Sequence, residues 1–374
     1  MTRIRTTHTG SLPRPDALAT AIMALEEQGA TSGLDSLADA AVRDVVKRQV
    51  DTGIDIVNDG EMRRLGYVSY VKDRLGGFHG EDVGPGVANT DILDHPEFAE
   101  RDARWKPIRR IPACVESLSP GDPASLRRDI ELLKSAAAAC GATETFMTAP
   151  SPGVVSIFFA DRHYGGREAY LHAIGEAMRP DYEAIAAAGI TLQIDCPDLA
   201  MGRHVTFGRL TDEEFRREAM LAVEALNQAT RGIPAERMRI HLCWGNYEGP
   251  HHRDIDLHKI IDVVLRVRPA GLSIEACNPR HGHEWAVFER TRLPDHRYVV
   301  PGVIDSTTNY VEHPELVAQR LRNYIRLVGP DRVIAGADCG FGTSVVRQWR
   351  VVPSVTWAKL ASMVEGARLA SVGS

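Results

Sequence analysis

Eight short apolar segments recur along the chain, at 4–10, 54–61, 143–149, 191–197, 238–245, 270–277, 298–305 and 333–340. Several are β-branched runs, "VVPGVID" and "RVIAGAD" among them. Such runs are expected of strands buried on both faces of a parallel sheet. Most are separated by stretches of helical periodicity, which predict helices over 122–139, 166–188, 211–230, 257–267, 314–328 and 355–370. Thr211 followed by three acids, and His313 followed by Pro314 and Glu315, carry the chemistry of helix starts. Eight strands alternating with helices predict an α/β fold, a (β/α)8 TIM barrel. A doubly wound open sheet is the competitor, but no G-x-G-x-x-G follows the first strand, which weakens a dinucleotide-binding version. The rhythm breaks over 62–142, which holds "GGFHGEDVGPG" and then "KPIRRIPACVES", patterned as a strand or half a hairpin. The expectation is a single domain over 1–374, with 62–142 an elaborated connection after the second strand.

Composition changes the picture only by exclusion. The 374 residues are 44% hydrophobic and 25% charged, an ordinary globular balance. A net charge of −6 gives no reason to expect nucleic acid as a partner. No apolar run approaches the roughly 20 residues that span a bilayer, so no membrane is expected. The first ten residues are polar and lack the apolar core of a secretory signal, which makes the cytoplasm the default location. Six cysteines (114, 140, 196, 243, 277 and 339) are too sparse for a disulfide framework. They read as free thiols, core residues or metal ligands.

Seven of the eight segments end in polar or reactive residues, and a barrel gathers those ends on one rim. His241 and Cys243 lie two apart on one strand and leave the same face. Glu275 and Cys339 end the sixth and eighth strands. One imidazole, two thiols and one carboxylate form the donor set of a zinc ion, Zn2+, and two soft thiolates argue against magnesium or calcium. Cys277 falls past the strand end, and Cys196, beside Asp195, points to the opposite face. Two histidine-rich loops, "GPHHRD" and "RHGHEW", admit two readings. They are solvated loops, or His251, His252, Arg253, Arg280 and His281 line the mouth of a pocket and favour an anionic group. Arg63 and Arg64 admit the same two.

The motifs "HTGSLPR" (8–14), "NDGE" (58–61), "LQIDCPD" (192–198), "HLC" (241–243), "SIEA" (273–276), "PGVID" (301–305) and "ADCG" (337–340) resemble those of the cobalamin-independent methionine synthase family, in its C-terminal catalytic barrel. The resemblance spans nearly the whole chain. It implies zinc ligands at His241, Cys243, Glu275 and Cys339, and a homocysteine site at Thr9, Gly10, Ser11, Glu61 and Asp195. It implies a zinc-dependent S-alkyltransferase in which a zinc-bound thiolate attacks an alkyl donor, as in methyl transfer to homocysteine. The folate half departs from the family pattern. Met201 stands where a folate-contacting Glu is expected, Ile157-Phe158-Phe159 where a pterin-stacking Trp is expected, and Thr307 where a proton-donating His is expected. The epoxyalkane:coenzyme M transferase branch, which opens an epoxide with a zinc-activated thiol, is therefore an alternative. A non-catalytic zinc- or thiol-binding barrel is a second. The leaving group needs a proton, and Asp305, Thr307, His251 and His252 are the candidate donors. The expected partners are a small-molecule thiol and an alkyl donor. The sequence leaves the oligomeric state open, a homo-oligomer included.

Overall fold

The structure, a computed structural model, describes residues 2–29, 33–82, 89–103, 111–345 and 351–372. Its strands are β1 (Arg5–Thr6), β2 (Ile56–Val57), β3 (Leu75–Asp82), β4 (Ile111–Pro120), β5 (Glu144–Pro150), β6 (Thr191–Asp195), β7 (Met238–Leu242), β8 (Gly271–Ile274), β9 (Tyr298–Ile304) and β10 (Ile334–Ala337). Eight of them pair in the order β1-β10-β9-β8-β7-β6-β5-β2, and every pairing is parallel. The seam between β1 and β2 is narrow. There the Asp55 N–H donates to Thr6 O at 3.2 Å, and the Thr6 N–H donates to the Asp55 carboxylate at 2.9 Å. The result is an α/β sheet nearly closed into a TIM-type barrel, as the apolar rhythm predicts.

Each predicted segment holds one strand, and all but the third outrun it; β5 runs one residue past its predicted end at 149. The tails project beyond the strands as rim loops and carry Cys243, Glu275 and Cys339, while His241 and Asp195 sit at the ends of β7 and β6. Helices Pro123–Cys140, Arg167–Ala187, Asp212–Ala229, Pro314–Val328 and Pro353–Val372 fall where the periodicity places them. Local chemistry fixes their starts. Thr211 and Glu214 form a reciprocal capping box, and Pro314 occupies the first turn after His313. Two further helices, Asp16–Gln28 and Leu34–Thr52, fill the connection from β1 to β2.

The helix predicted over 257–267 is corrected. The chain forms a 3-10 turn, Leu257–Lys259, and a single helical turn, Ile261–Val264, because Ile260 (φ −126°) breaks the helical dihedrals. The Leu257 N–H is taken by the Glu284 carboxylate at 2.5 Å, which ties this segment to the next connection. That connection, between β8 and β9, carries the 3-10 helix Glu284–Glu289 and no α-helix.

Within 62–142, β3 and β4 form an antiparallel hairpin, with Phe78 opposite Cys114. The Cys114 N–H donates to Ala160 O at 2.9 Å, and the Arg162 N–H to Cys114 O at 2.9 Å, pinning the hairpin over the connection after β5. The "KPIRR" run and part of "GGFHGEDVGPG" lie outside the described residues. Among the described residues, no helix is long and apolar enough to cross a membrane.

Candidate active site

The interior of the barrel is polar beneath its rim. Arg239 lies on β7, two residues before His241, and is buried in mid-barrel. Its guanidinium stacks over Phe146 at 4.0 Å. It donates to Gln193 Oε1 (2.8 Å), Thr7 Oγ1 (3.2 Å) and His8 O (3.1 Å). One level higher, burial and then Arg239 push His241 down to about 3, so its imidazole is neutral. Both ring nitrogens of His241 are buried with no partner among the described residues.

Cys243 continues that face of β7, and Cys339 arrives from the end of β10. Their sulfurs stand 3.6 Å apart, and with a nitrogen of His241 the three ligand atoms lie within 4.8 Å of one another. The Gly245 N–H points at Cys243 Sγ from 3.2 Å. The contact with Cys339, and then burial, push the Cys243 thiol well up. Glu275 stands beside this trio but outside it. Its two oxygens accept from the Trp244 N–H (2.9 Å) and from Asn278 Nδ2 (2.8 Å).

Asp338, next to Cys339, fastens the two rim loops together. Its carboxylate accepts the backbone N–H groups of Ala276, Cys277 and Asn278 at 2.8–2.9 Å. Cys277 lies apart, its sulfur 3.7 Å from Glu312 Oε1. Cys196 also points elsewhere, its thiol on Ile194 O at 3.5 Å.

A second group of rim residues flanks the trio. Register pairs Asp195 with His241 on the neighbouring strand. Gln193 Nε2 donates to both Asp195 Oδ1 (2.9 Å) and Thr9 O. Thr9 Oγ1 reaches Ala337 O at 2.9 Å, and Ser11 O accepts from the Phe341 N–H at 2.8 Å, so the first rim loop packs on the Cys339 loop. Gly10 has φ +142°, and a Cβ there would sit 2.7 Å from Thr148 and 2.9 Å from Glu61 Oε1. The space beside Glu61 therefore depends on glycine. Glu61 itself has φ +57° in the turn after β2. Its Oε1 accepts from Thr148 Oγ1 at 2.8 Å, and Arg64 comes only to 4.0 Å; its Oε2 is buried without a partner. Burial raises Glu61. Burial, and then the Glu61 charge, push Asp195 up to about 8.

A cavity of about 340 Å³ opens on the other flank, lined by Glu275, Cys339, Asp305, Thr307, His251 and Arg280 among others. His252 is not in its wall. It faces outward to Asp94 Oδ2 at 2.8 Å, which Arg253 also engages. His281 is buried rather than at the mouth, between Asp254 Oδ2 (2.9 Å) and Glu284 Oε2 (3.0 Å). Arg63 is bound outward to Asp35 and Asp39, while Arg64 turns inward onto Thr148. The sequence reading missed Arg239 and Gln193, although both share a strand face with a residue it named. It also missed Tyr67, which no strand-end pattern marks. Burial, then the charges of Cys243, Cys339 and Asp195, raise the Tyr67 phenol well above its ordinary value.

A nearly closed parallel barrel with a His-Cys-Cys trio and flanking acids on its C-terminal rim defines the class: a barrel with a candidate metal centre where barrel enzymes do their chemistry. Residues 153–369 match the cobalamin-independent synthase catalytic domain, and the chain belongs to that family. It is 23% identical over 364 residues to a methionine synthase of Thermococcus kodakarensis, covering 96% of this chain and 91% of the relative. It is 24% identical over 373 residues to a methionine synthase of Saccharolobus solfataricus, covering 97% and 94%. Among solved structures, a B12-independent methionine synthase from a Shewanella species, in complex with selenomethionine, shares the fold (TM-score 0.74, 21% identity, 99% and 98% of the two chains).

Proposed function

We propose that this protein is a zinc-dependent methyltransferase that methylates the thiol of homocysteine. The observation that carries the proposal is the pairing, on one rim, of a sulfur-rich trio with two buried carboxylates, Glu61 and Asp195, that no cation among the described residues approaches more closely than Arg64, 4.0 Å from Glu61. The trio fits zinc: a neutral imidazole with unpartnered nitrogens and two thiols lie close enough to share one ion. His241, Cys243 and Cys339 would hold the metal, with Glu275 the fourth, displaceable donor. When bound, zinc supplies the acidity that makes a substrate thiol a thiolate at neutral pH.

The chain's own residues do the rest. Glu61 and Asp195 receive the ammonium of an amino-acid thiol, which comes closer to them than Arg64, 4.0 Å from Glu61, and fills the unpartnered Glu61 Oε2. Gly10 keeps that space open, and the backbone of Thr9–Ser11 orients the carboxylate end. Coenzyme M has no ammonium, so two carboxylates at this position favour homocysteine over it.

The test is twofold. Purified protein should carry about one zinc per chain, and Cys243→Ser or Cys339→Ser should lose it. The zinc-loaded protein should convert homocysteine to methionine with a methyl donor. Fully active metal-free protein would overturn the metal assignment, and methylation of coenzyme M in preference to homocysteine would overturn the acceptor.

A further inference from the structure

The alkyl-transfer reading leaves one chemical need unmet: a proton for the leaving group. Four rim side chains are candidates, and their surroundings separate them. Asp305 spends both oxygens on its own turn, accepting from Thr307 N and Oγ1 and from Thr308 N and Oγ1 at 2.6–3.0 Å. Thr307 holds its hydroxyl on Asp305, and an alcohol is far too weak an acid to donate a proton at neutral pH. His252 faces outward onto Asp94. His251 alone of the four combines an ionisable ring with a place in the cavity wall beside Glu275 and Cys339.

The ring of His251 is held between two acceptors. Nδ1 is 2.8 Å from Asp254 Oδ2, and Nε2 is 3.0 Å from the Tyr247 carbonyl. Neither acceptor has a proton to offer, so both contacts need a hydrogen from the ring, which makes it an imidazolium. The loop is built to keep it there. His251 has φ +53°, uncommon for a residue with a side chain. Its N–H is fixed by Asp91 Oδ2 at 2.8 Å, and its ring packs 4.2 Å from that of Tyr247, whose hydroxyl also binds Asp91. Asp254 is a shared hub: the same Oδ2 that holds His251 also holds His281, whose other nitrogen is on Glu284. His204 Nδ1 approaches Asp254 Oδ1 at 3.2 Å.

We propose that His251 is the general acid of the transfer, oriented by Asp254, with His281 and Glu284 as positioning residues behind it. This rests on the alkyl-transfer reading above. The substrate sulfur bonds to the donor carbon as the carbon–heteroatom bond breaks, and that electron pair stays on the heteroatom. The Nε2–H of His251 exchanges its contact with the Tyr247 carbonyl for that atom, and its proton passes to it. His251 is left neutral with its Nδ1–H still on Asp254, and it regains a proton from solvent.

The ionisation of His251 is consistent with the role. Burial alone would lower it, but the Asp254 hydrogen bond and charge, with the Tyr247 carbonyl, raise it above the ordinary histidine value. The charged or titratable groups that face it are Asp254, Asp91, Glu275, Tyr247 and His204. Activity that needs the imidazolium is present at lower pH and is lost as pH rises through this raised value.

The experiment pairs homocysteine with three donors. 5-Methyltetrahydrofolate and 1,2-epoxypropane release an amine and an alkoxide that need a proton; methyl iodide releases iodide, which does not. His251→Gln should lower kcat by about 100-fold or more with whichever proton-requiring donor the wild type uses. It should change the methyl iodide rate less than about threefold, since that donor asks no proton of a general acid. His251→Asn serves as a second variant, and the thermal unfolding of each is compared with wild type. In the wild type, which needs no variant to fold, the rate with a proton-requiring donor should fall at alkaline pH while the iodide rate does not. Equal losses across donors in a variant that melts like wild type would overturn the proposal. So would unchanged rates, a shared alkaline limb, or a wild type that accepts only methyl iodide. A wild type that consumes no homocysteine with any donor would instead overturn the function on which the proposal rests.

Discussion

Asp195 shows what a single rim residue does here. It is a carboxylate kept in a buried site beside a second carboxylate, with an amide in contact and Arg64 and Arg239 acting only from a distance. Its ordinary value near 3.8 rises to about 8 in the folded protein. A group raised in this way stabilises the fold fully below its unfolded value, and that contribution fades as pH rises to the folded one. Metal- and substrate-free protein should therefore lose stability from pH 4 to pH 8 through this residue, and Asp195→Asn should flatten the slope; urea unfolding at pH 5 and pH 8 measures both. The same substitution should weaken homocysteine. A charge-assisted contact is worth about 1.5–3 kcal/mol, so KM should rise roughly 10- to 100-fold. KM for 3-mercaptopropionate, which has no ammonium, should barely move; an equal rise for both thiols would mean that Asp195 does not read the amine. This pair of acids was legible in the sequence because acids at strand ends are conspicuous. The reason for their strength was not, since it lies in which neighbours fail to approach them. His241 and Cys243 were legible through the period of two. Arg239 obeys the same period and was passed over, because an arginine inside a strand reads as a solvated charge until its partners are seen.

At the scale of elements, the sequence located the strands well and the rim poorly. Apolar runs mark what is buried, and a barrel strand is buried throughout, so 298–305 and 333–340 identify β9 and β10 to within a few residues. The loop after β7 is different. Its shape comes from side chains bonding across distant segments, His251 and His281 to Asp254 and Leu257 to Glu284, and no local pattern encodes such bonds. The periodicity over 257–267 accordingly predicted a helix that the loop interrupts at Ile260. Asp338 is the clearest case of one side chain holding an element. Three backbone N–H groups of 276–278 depend on it. Asp338→Ala should leave them unpaired in a buried loop and cost about 3 kcal/mol or more, at 1–3 kcal/mol for each unsatisfied group. Chemical denaturation would measure the loss. Hydrogen exchange should show faster opening at 276–278 than in the Asp212–Ala229 helix, and slow exchange at both in the variant would refute the clamp.

For the molecule as a whole, the question is why a barrel should carry a cation through its middle. Burying a guanidinium is costly unless every donor is used. In Arg239 each of the three nitrogens is bonded, to Thr7 and His8 just after β1 and to Gln193 of β6, and the guanidinium stacks on Phe146 of β5. These contacts cross the barrel, and β1 is a two-residue strand laddered to β10 alone, so Arg239 holds the segment that follows β1 from the inside. It also sets the charge of the rim. Through Gln193 it is one hydrogen bond removed from Asp195, and its charge adds to the burial that keeps His241 neutral. Arg239→Met keeps much of the volume and removes the cation. It strands Gln193 Oε1 and the His8 carbonyl, while Thr7 Oγ1 keeps its bond to Ile56 O, and two unsatisfied buried acceptors at about 1–3 kcal/mol each cost about 2–6 kcal/mol. Urea unfolding should show that loss. If Arg239 were only a plug, methionine should serve as well and both stability and rim chemistry should survive. If it braces the barrel, the variant should melt earlier, exchange amide protons faster along β1 than along β8, and bind homocysteine less tightly although no atom that touches the substrate has been changed.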